Sequence, residues 1–585
     1  MSNWHVDVGP LLRYDTVDPR GIYHAFVLLV TQHTAATMPR VAPVLQYVPM
    51  ADQKPTGPPM QTRGLQLWVY ADETNRAHVF WRFKIEIQML RVPQSVAYTI
   101  VGATDLVDFH VPAYHQNFRW ATYSCSGFSA SVKQDEFNGA DPMWNDLLIE
   151  HAHNPFHLLV GGGDQIYNDQ VAKQEGLENH IFSPKKLTAE GEEIPLEPRY
   201  QQVIDRFLFH NYVKCFGSGA MARAFSRIPM VNMLDDHDLI DGFGTYSEEL
   251  MQSPVFNLIG SRGYFFYLLF QHFMVDEVDG VLNENTTNPN PTQFRSLIIG
   301  GPGSYIAFPT HSFLIWMGPK QHMLLLDCRA QRKMDQVCAE ETYERVFEAC
   351  MNLPESVRHL IIQLGVPIAY PRMVFLEKML GSKFNPFVKV AKASSPSFTN
   401  STYSTLTQDF DGSVEILDDL HDHWCSHLHK KERNQLIEQT QELSKEKKLR
   451  ITFLSGDVHA ASCGVFSSET EIRPEQDYKY SLALITSAIV NAPPPPAVIK
   501  VTNKLATKQH RSLHYLGTRE TMYPLFEFDL NDHPNKLKYI MGARNWCAVD
   551  FDESTTEILF HVRVEKKQGS GRAKEYTVKA PAPLF

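Results

Sequence analysis

The sequence lacks the features that mark membrane-spanning, secreted and nucleic-acid-binding proteins. The most apolar stretches, 264–273 and 482–490, are much shorter than the roughly 20 residues that a membrane-spanning helix needs. Residues 1–15 contain no basic flank followed by an apolar core, so they do not resemble a secretory signal. A formal net charge of -11 leaves no broad basic surface for nucleic acid or an anionic membrane.

Cysteines are few, and their positions show no paired spacing. The sequence contains eight of them in 585 residues, which indicates reduced thiols rather than a disulfide framework. We therefore expect a cytoplasmic protein. The chain has no internal repeat, and its hydrophobic content of 43% is ordinary for a folded protein long enough to form more than one domain.

Strand-like and helix-like patterns alternate along much of the chain. Residues up to about 115 are β-rich, with apolar or alternating runs at 21–30, 64–70 and 78–88. Beyond them, a helical pattern at 201–224 lies between two apolar strand-like runs, and this β-α-β order predicts an α/β core. We expect a small N-terminal domain at 1–115, a main domain at 116–550, and C-terminal strands at 551–585 that pack on either of them.

The stretch HLLVGGGDQIYND, residues 157–169, combines an apolar run, three glycines and an acidic residue. Open α/β sheets place their chemistry where a buried strand ends and presents polar groups at its carboxyl end. If the chain then turns helically, Asp164 and Tyr167 lie on one face. A carboxylate beside a phenol suits a hard, highly charged cation. The alternative is a buried Asp164 that caps a helix, with Tyr167 packed beside it.

Two further apolar runs end in acidic clusters that contain histidine. The run 229–234 leads into Asp-Asp-His-Asp at 235–238, and the run 451–454 leads into Asp457 and His459. Residues two apart on an extended chain point the same way, so Asp457 and His459 could reach one ion. Three acidic strand ends in one chain predict that loops at one edge of a sheet build a shared metal site.

Other candidates leave two interpretations open. Cys125 lies near the end of the strand-like run 118–127 and could be a metal ligand or a small core residue. Arg329 and Arg332 could bind an anion bidentately or pair with neighbouring carboxylates. A histidine cluster at helical spacing could hold zinc, or could be a wet helix face with one member reaching the site; it comprises His421, His423, His427 and His429.

Taken together, these segments resemble a known family. The stretches 163–167 (GDQIY), 235–238 (DDHD) and 455–459 (SGDVH) resemble, in this order, the three signature motifs of PhoD-like alkaline phosphatases, a branch of the metallophosphoesterases. The resemblance spans about 116–550. It includes minor features: the strand ending at Cys125, Asp-x-Arg at 327–329, and the segment 487–494 that runs into prolines. It implies an α/β (α+β overall) chain with a metallophosphoesterase-type β-sandwich flanked by helices, after the small β-rich domain.

The resemblance also implies roles for individual residues. Asp164 would bridge metal ions, while Tyr167 and Cys125 would bind ferric iron. The other implied metal ligands are Asp236, Asp457 and His459. His237 would contact the phosphate and protonate the leaving oxygen. Family members of this kind use iron with calcium, although other divalent metals are an alternative.

The implied reaction is hydrolysis of phosphate mono- or diesters. A metal-bound hydroxide would attack in line, and His237 with Arg329 would orient the phosphoryl group. Two alternatives remain: a phospholipase or nucleotide phosphodiesterase on the same scaffold, and a catalytically silent binding or regulatory protein. The chain departs from the exported members of the family in lacking a secretory signal, and its loops at 187–196 and 379–411 differ.

Overall fold

The computed structural model describes residues 4–34, 37–38, 41–177, 197–282, 294–372, 422–513 and 515–585. The loops 187–196 and 379–411, and the predicted cluster member His421, lie outside these ranges. The helices are α1 (Asp141–His153), α2 (Arg199–Phe216), α3 (Gly219–Arg227), α4 (Glu248–Met251), α5 (Pro254–Tyr267), α6 (Asp276–Asp279), α7 (Glu340–Met351), α8 (Lys430–Lys447) and α9 (Pro496–Leu505).

The strands of the N-terminal part and the first central strands are β1 (His5–Val17), β2 (Ile22–His33), β3 (Val44–Ala51), β4 (Lys54–Pro55), β5 (Met60–Arg63), β6 (Leu65–Ala71), β7 (Ala77–Gln88), β8 (Gln94–Ile100), β9 (Val107–Val111), β10 (Trp120–Tyr123), β11 (Leu158–Gly162) and β12 (Met230–Met233). Those that follow are β13 (Leu297–Pro302), β14 (Pro309–Trp316), β15 (Gln321–Leu325), β16 (His359–Gln363), β17 (Arg450–Ser455), β18 (Ala461–Ser468), β19 (Ser481–Ile485), β20 (His510–Leu513), β21 (Thr518–Met522), β22 (Ile540–Met541), β23 (Asn545–Asp552), β24 (Glu557–Glu565) and β25 (Ala573–Ala580).

Two large sheets dominate the fold, which confirms the predicted mixed α/β class. The first runs in the order β25-β24-β23-β10-β11-β12-β1-β2-β7-β6, and β10, β11 and β12 are parallel neighbours. The second runs β13-β14-β15-β16-β17-β19-β18-β21-β20, with β22 paired to β18, and it has β15, β16, β17 and β19 parallel. Each sheet therefore gathers the carboxyl ends of several central strands at one edge.

The second sheet is buried on both faces. Along β15, Met323 and Leu325 belong to a large apolar cluster that also contains Val160 and Met233 of the first sheet. The intervening Leu324 points the other way, into a second cluster with residues of α7 and α8. This alternation is the period of two that strand geometry imposes. It explains why the strands read as continuous apolar runs in the sequence.

The first 115 residues contribute to two sheets. Strands β1, β2, β6 and β7 extend the first large sheet, where β1 lies parallel to β12 with Arg13 opposite Met230. Strands β3, β4, β5, β8 and β9 form a separate five-stranded sheet. The C-terminal strands β24 and β25 join the same large sheet through β23, which pairs with β10. The division at residue 115 stays a prediction.

The helical pattern predicted at 201–224 is interrupted. It forms α2 and α3, which are separated at Gly217 and Ser218, and Gly219 begins α3 with a φ of +81°. The apolar stretch 264–273 lies in α5 and the π-helical turn Leu268–His272 that continues it. Within the described ranges, no helix is both long and apolar enough to cross a membrane.

A buried ion pair holds α8 on the second sheet. Glu520 on β21 accepts hydrogen bonds from Arg433 on α8 (2.7 Å) and from Arg372 (2.9 Å). Burial alone would raise the pKa of the Glu520 carboxyl, but the two guanidinium groups outweigh burial and lower that pKa to about 2. We therefore expect the packing of α8 on the second sheet to require an ionised Glu520.

We expect this pair to make stability depend on pH. Because the pKa of Glu520 is lower in the folded protein than its ordinary value of 4.5, its contribution is complete above about pH 5 and is lost as the pH falls towards 2. The shift corresponds to about 3 kcal/mol. Urea unfolding between pH 7 and pH 2 should show wild type losing about that much more than Glu520→Gln. Parallel pH profiles for the two proteins would contradict this account.

Candidate metal centre

The predicted acidic strand ends meet, but between two sheets. Cys125, Asp164 and Asp236 follow the carboxyl ends of β10, β11 and β12 in the first sheet, whereas Asp457 follows β17 in the second. The expectation of loops at one edge of a single sheet is therefore wrong. The pattern of apolar runs identifies strand ends but contains no information about which strands pair.

Glycines allow the two sheet edges to approach each other. A Cβ atom on Gly456 would lie 2.5 Å from Cβ and Oγ of Ser124, which belongs to the loop after β10. Gly163 has a φ of +137°, and a Cβ there would lie 3.1 Å from the same Ser124 Cβ. Side chains at these positions would force the loops apart. Gly163, before Asp164, and Gly456, before Asp457, are thus needed for the close approach of these loops to Ser124.

Asp164 lies at the centre of the cluster. Its side chain is buried, and its Oδ2 accepts contacts from Sγ of Cys125 (3.5 Å) and Oη of Tyr167 (3.3 Å). In the described part of the chain, its Oδ1 has no hydrogen-bond partner. A buried carboxylate oxygen without a protein partner needs an explanation, and a bound ion or water molecule would satisfy it.

Two groups of donor atoms share this carboxylate. One comprises Cys125, Asp164 and His459, and the other comprises Asp164, Asp236 and His237; within each group the donor atoms lie within 4.8 Å of one another. Tyr167 adds its phenol to the first group, because its Oη is 3.2 Å from Nε2 of His459. Asp164 is therefore the residue that the two candidate donor groups share.

The helical turn predicted for Asp164 and Tyr167 is absent. Residues 163–168 are irregular, and a short 3₁₀ helix begins only at Asp169. The two side chains nevertheless meet, so the predicted neighbourhood is confirmed although its proposed cause is wrong. Asn168 fixes this loop, since its side chain donates to the backbone oxygen of Asp238 (2.6 Å).

The electrostatics of the cluster fit a cation. Burial raises the pKa of the Asp164 carboxyl well above its ordinary value, and the nearby Cys125 raises it further. Burial likewise raises the pKa values of the Cys125 thiol and the Tyr167 phenol. These acids disfavour one another's ionisation, and a bound metal ion reverses that preference. A thiol, a phenol, an imidazole and carboxylates are all side chains that can serve as metal ligands.

His237 is held by carboxylates on both sides. Its Nδ1 is 2.8 Å from Asp169 Oδ1, its Nε2 is 3.8 Å from Asp241 Oδ1, and its ring packs on Tyr167 at 4.3 Å. Burial lowers the pKa of His237, but the carboxylates of Asp169, Asp236 and Asp241 outweigh burial and raise that pKa well above its ordinary value. The imidazolium form, which can donate a proton, is therefore favoured.

Asp457 and His459 do not point the same way, contrary to the expectation from an extended chain. Both residues have left-handed backbone, with φ values of 72° and 49°. As a result, His459 faces Tyr167, whereas Oδ2 of Asp457 lies 3.1 Å from Nε2 of His423. Burial lowers the pKa of His459 to about 4, which leaves the neutral imidazole that metals prefer.

The same loops contain non-glycine residues with left-handed backbone. Cys125, with a φ of 51°, joins Asp457 and His459 as a third non-glycine residue of the cluster in the left-handed region. Such conformations cost of order 1–3 kcal/mol each and persist where the surrounding structure enforces them. Cys125 and His459, which share a donor group with Asp164, and Asp457 two residues before His459 are therefore all held in this conformation by the surrounding structure.

The two arginines pair with carboxylates, which is the second of the interpretations that the sequence left open. Arg329 is fully buried; it donates to Asp235 through Nε and to Asp422 through Nη1 (2.8 Å) and Nη2. Its Nη2 also lies 3.6 Å from Oδ1 of Asp236. Arg332 contacts the same Asp422 at 2.8 Å. Arg329 thus stabilises the loop after β12 through its contacts with Asp235 and Asp236.

Sequence reasoning missed several residues of the site. Asn491 lies 3.4 Å from Nε2 of His459 and donates to Ser129 Oγ (2.8 Å). Asp169, Asp241 and Asp422 support the predicted residues. The sequence does contain a signal for Asn491, because prolines follow it and mark the end of an apolar run. The others follow no strand pattern and are recognisable only from contacts made on folding.

Comparison with known proteins agrees with this geometry. The family model for PhoD-related phosphatases matches residues 93–398 and 386–579. The uncharacterized protein YGR266W of Saccharomyces cerevisiae is 34% identical over 510 residues, which are 80% of this chain and 70% of that protein. The solved structure of PhoD matches with a TM-score of 0.51 at 13% identity, covering 100% of this chain and 94% of PhoD, so the fold is shared. The chain therefore belongs to the PhoD-related phosphatase family.

Proposed function

We propose that the protein is a metal-dependent hydrolase of phosphate mono- or diesters. The observation that carries this proposal is the shared carboxylate of Asp164, which has an unsatisfied buried oxygen and joins two groups of metal donors. The family is one of phosphatases, which provides the reaction class. The proposal includes the finer assignments from the sequence: a β-sandwich core at 116–550 and a cytoplasmic location.

The donor set suggests how two ions would be held. Cys125, Tyr167 and His459 would bind an iron ion with Asp164, because a thiolate, a phenolate and an imidazole suit iron. Asp164 and Asp236 would provide the oxygen donors for a harder ion such as calcium. Asp457 would join them from the second sheet. Bound ions of this kind acidify water and offset the negative charge of a phosphoryl group.

The protein's own residues would position the ester and move the proton. His237, held by Asp169 on one side, would donate its proton to the leaving oxygen as the ester bond breaks. Tyr167, on which the His237 ring packs, limits rotation of that ring. Arg329 is a positioning residue in this scheme, because its guanidinium group is occupied by carboxylates and steadies Asp235 and Asp236.

Removal of metal is the direct test. Purified protein should contain metal by elemental analysis and hydrolyse 4-nitrophenyl phosphate or bis(4-nitrophenyl) phosphate. Chelation and desalting should abolish the activity, because no ion then acidifies water or offsets the negative charge of the phosphoryl group. Adding iron with calcium should restore the activity. The preferred ester separates a monoesterase from a diesterase. Metal-free protein without turnover would instead identify a binding protein that keeps the fold, and would contradict the proposal.

A further inference from the structure

Two consecutive residues outside the three motifs are connected to two of the motif loops, His423 directly and Asp422 through Arg329. Asp422 and His423 directly precede the segment that leads into α8. Asp422 binds Arg329, which in turn contacts Asp235 and lies 3.6 Å from Asp236. His423 reaches the loop after β17, where its Nε2 lies 3.1 Å from Oδ2 of Asp457. One short segment thus braces carboxylates that follow a strand of each large sheet.

The segment is itself firmly anchored. Trp424 is fully buried in the apolar cluster beneath α7 and α8, and the Sγ of Cys425 donates to the backbone oxygen of Ile368 (3.6 Å). Arg433, at the start of α8, donates to the same oxygen (2.7 Å) and pairs with Glu520. Side chains presented from such a support have a fixed direction, which is what positioning a ligand requires.

We propose that His423 is a positioning residue that holds the Asp457 carboxylate for metal binding, with Asp422 doing the same for Asp236 through Arg329. This inference rests on the proposed function. Asp457 has strained backbone, with a φ of 72°, and its side chain diverges from that of His459. Nε2 of His423, 3.1 Å from Oδ2 of Asp457, lies at ion-pair distance from this carboxylate. Groups that orient metal ligands typically account for about 10–100-fold in metal affinity or activity.

A purely structural role for His423 makes a different prediction. The His423 ring packs edge-on against Tyr370, with centroids 5.9 Å apart. His423→Phe keeps an aromatic ring in that contact but removes the nitrogen donor. His423→Gln keeps a nitrogen that can donate to Asp457 but removes the ring. If His423 acts only by packing, Phe should preserve the site and Gln should damage it; the proposal expects the reverse.

Mn²⁺ binding measures the effect without depending on catalysis. Mn²⁺ favours oxygen donors such as the Asp457 carboxylate, and its electron paramagnetic resonance signal distinguishes free from bound ion. In chelator-treated protein we expect His423→Phe to raise the Kd for Mn²⁺ by about 10–100-fold, and His423→Gln to stay within about threefold of wild type. The matched control is His427→Gln, which changes an exposed histidine of the same segment and should leave the Kd unchanged.

The outcomes separate this inference from the proposed function. Equal Mn²⁺ affinity in wild type and His423→Phe overturns the role of His423, even if the enzyme hydrolyses phosphoesters normally. Greater damage from Gln than from Phe also overturns it, in favour of packing. Wild type that binds Mn²⁺ but cleaves no phosphoester overturns the proposed function alone, and the Kd comparison still decides the inference. Wild type that binds no Mn²⁺ overturns the inference.

Discussion

Asp164→Asn is expected to lower kcat/KM for phosphoester hydrolysis by at least about 10³-fold, equivalent to about 4 kcal/mol of transition-state stabilisation. The carboxylate belongs to both donor groups, so its loss weakens two ions at once. An amide of the same shape offers one neutral oxygen and no charge. Metal content, measured on the same preparation by elemental analysis, should fall with activity.

Folding should survive this substitution. Burial raises the pKa of the Asp164 carboxyl, so the folded protein without metal already disfavours the charge. We therefore expect the melting temperature of metal-free Asp164→Asn to match or exceed that of metal-free wild type. Asp205→Asn is the matched control. Asp205 is another buried carboxylate, but it lies outside the cluster and pairs with Arg262, with 2.6 Å between Oδ1 and Nε. This variant should keep its phosphoesterase activity. Full activity in Asp164→Asn would refute the assignment of the site.

The strands that build the site could be predicted because they are buried on both faces. The runs before Asp164, Asp236 and Asp457 are mostly apolar, with single polar residues at Asn232 and Thr452, and the structure places β11, β12 and β17 at them. Acidic residues follow these runs. Because burying an unpaired charge inside a sheet is costly, the first acidic residue marks the end of the strand. Local patterns therefore identify where a strand ends and what chemistry it presents.

Pairing and direction could not be predicted in the same way. The assignment of β17 to a second sheet depends on contacts with β16 and β19, and no local pattern encodes them. The divergence of Asp457 from His459 follows from left-handed backbone, whereas the sequence argument assumed an extended chain. Such backbone is enforced by packing around the loop, which here includes Ser487 Oγ, 3.1 Å from the His459 amide nitrogen.

Arg329 shows the same limit for charge. Its residue type and its position after a strand suit an anion site as well as an internal ion pair. The choice is made by Asp422, which lies 93 positions later in the chain and takes both Nη atoms of the guanidinium group. Burying an arginine is favourable only with such partners. The partner of a buried charge is a property of the fold, and for this reason the sequence left both interpretations open.

His237→Asn is expected to act differently on different esters. If His237 protonates the leaving oxygen, its loss should lower kcat/KM by about 10²–10⁴-fold for an alkyl phosphate, whose alkoxide leaves poorly without a proton. For 4-nitrophenyl phosphate, whose phenolate leaves unaided, the loss should be less than about tenfold. Asp169→Asn removes the carboxylate that lies 2.8 Å from Nδ1 of His237. This variant should also lower kcat/KM for both esters, by a smaller factor than His237→Asn. Because the His237 nitrogens also lie within reach of Asp164 and Asp236, metal content must be measured in each variant. Retained metal with a leaving-group-dependent loss identifies a proton donor, whereas lost metal with an equal loss on both esters identifies a ligand and refutes the acid role.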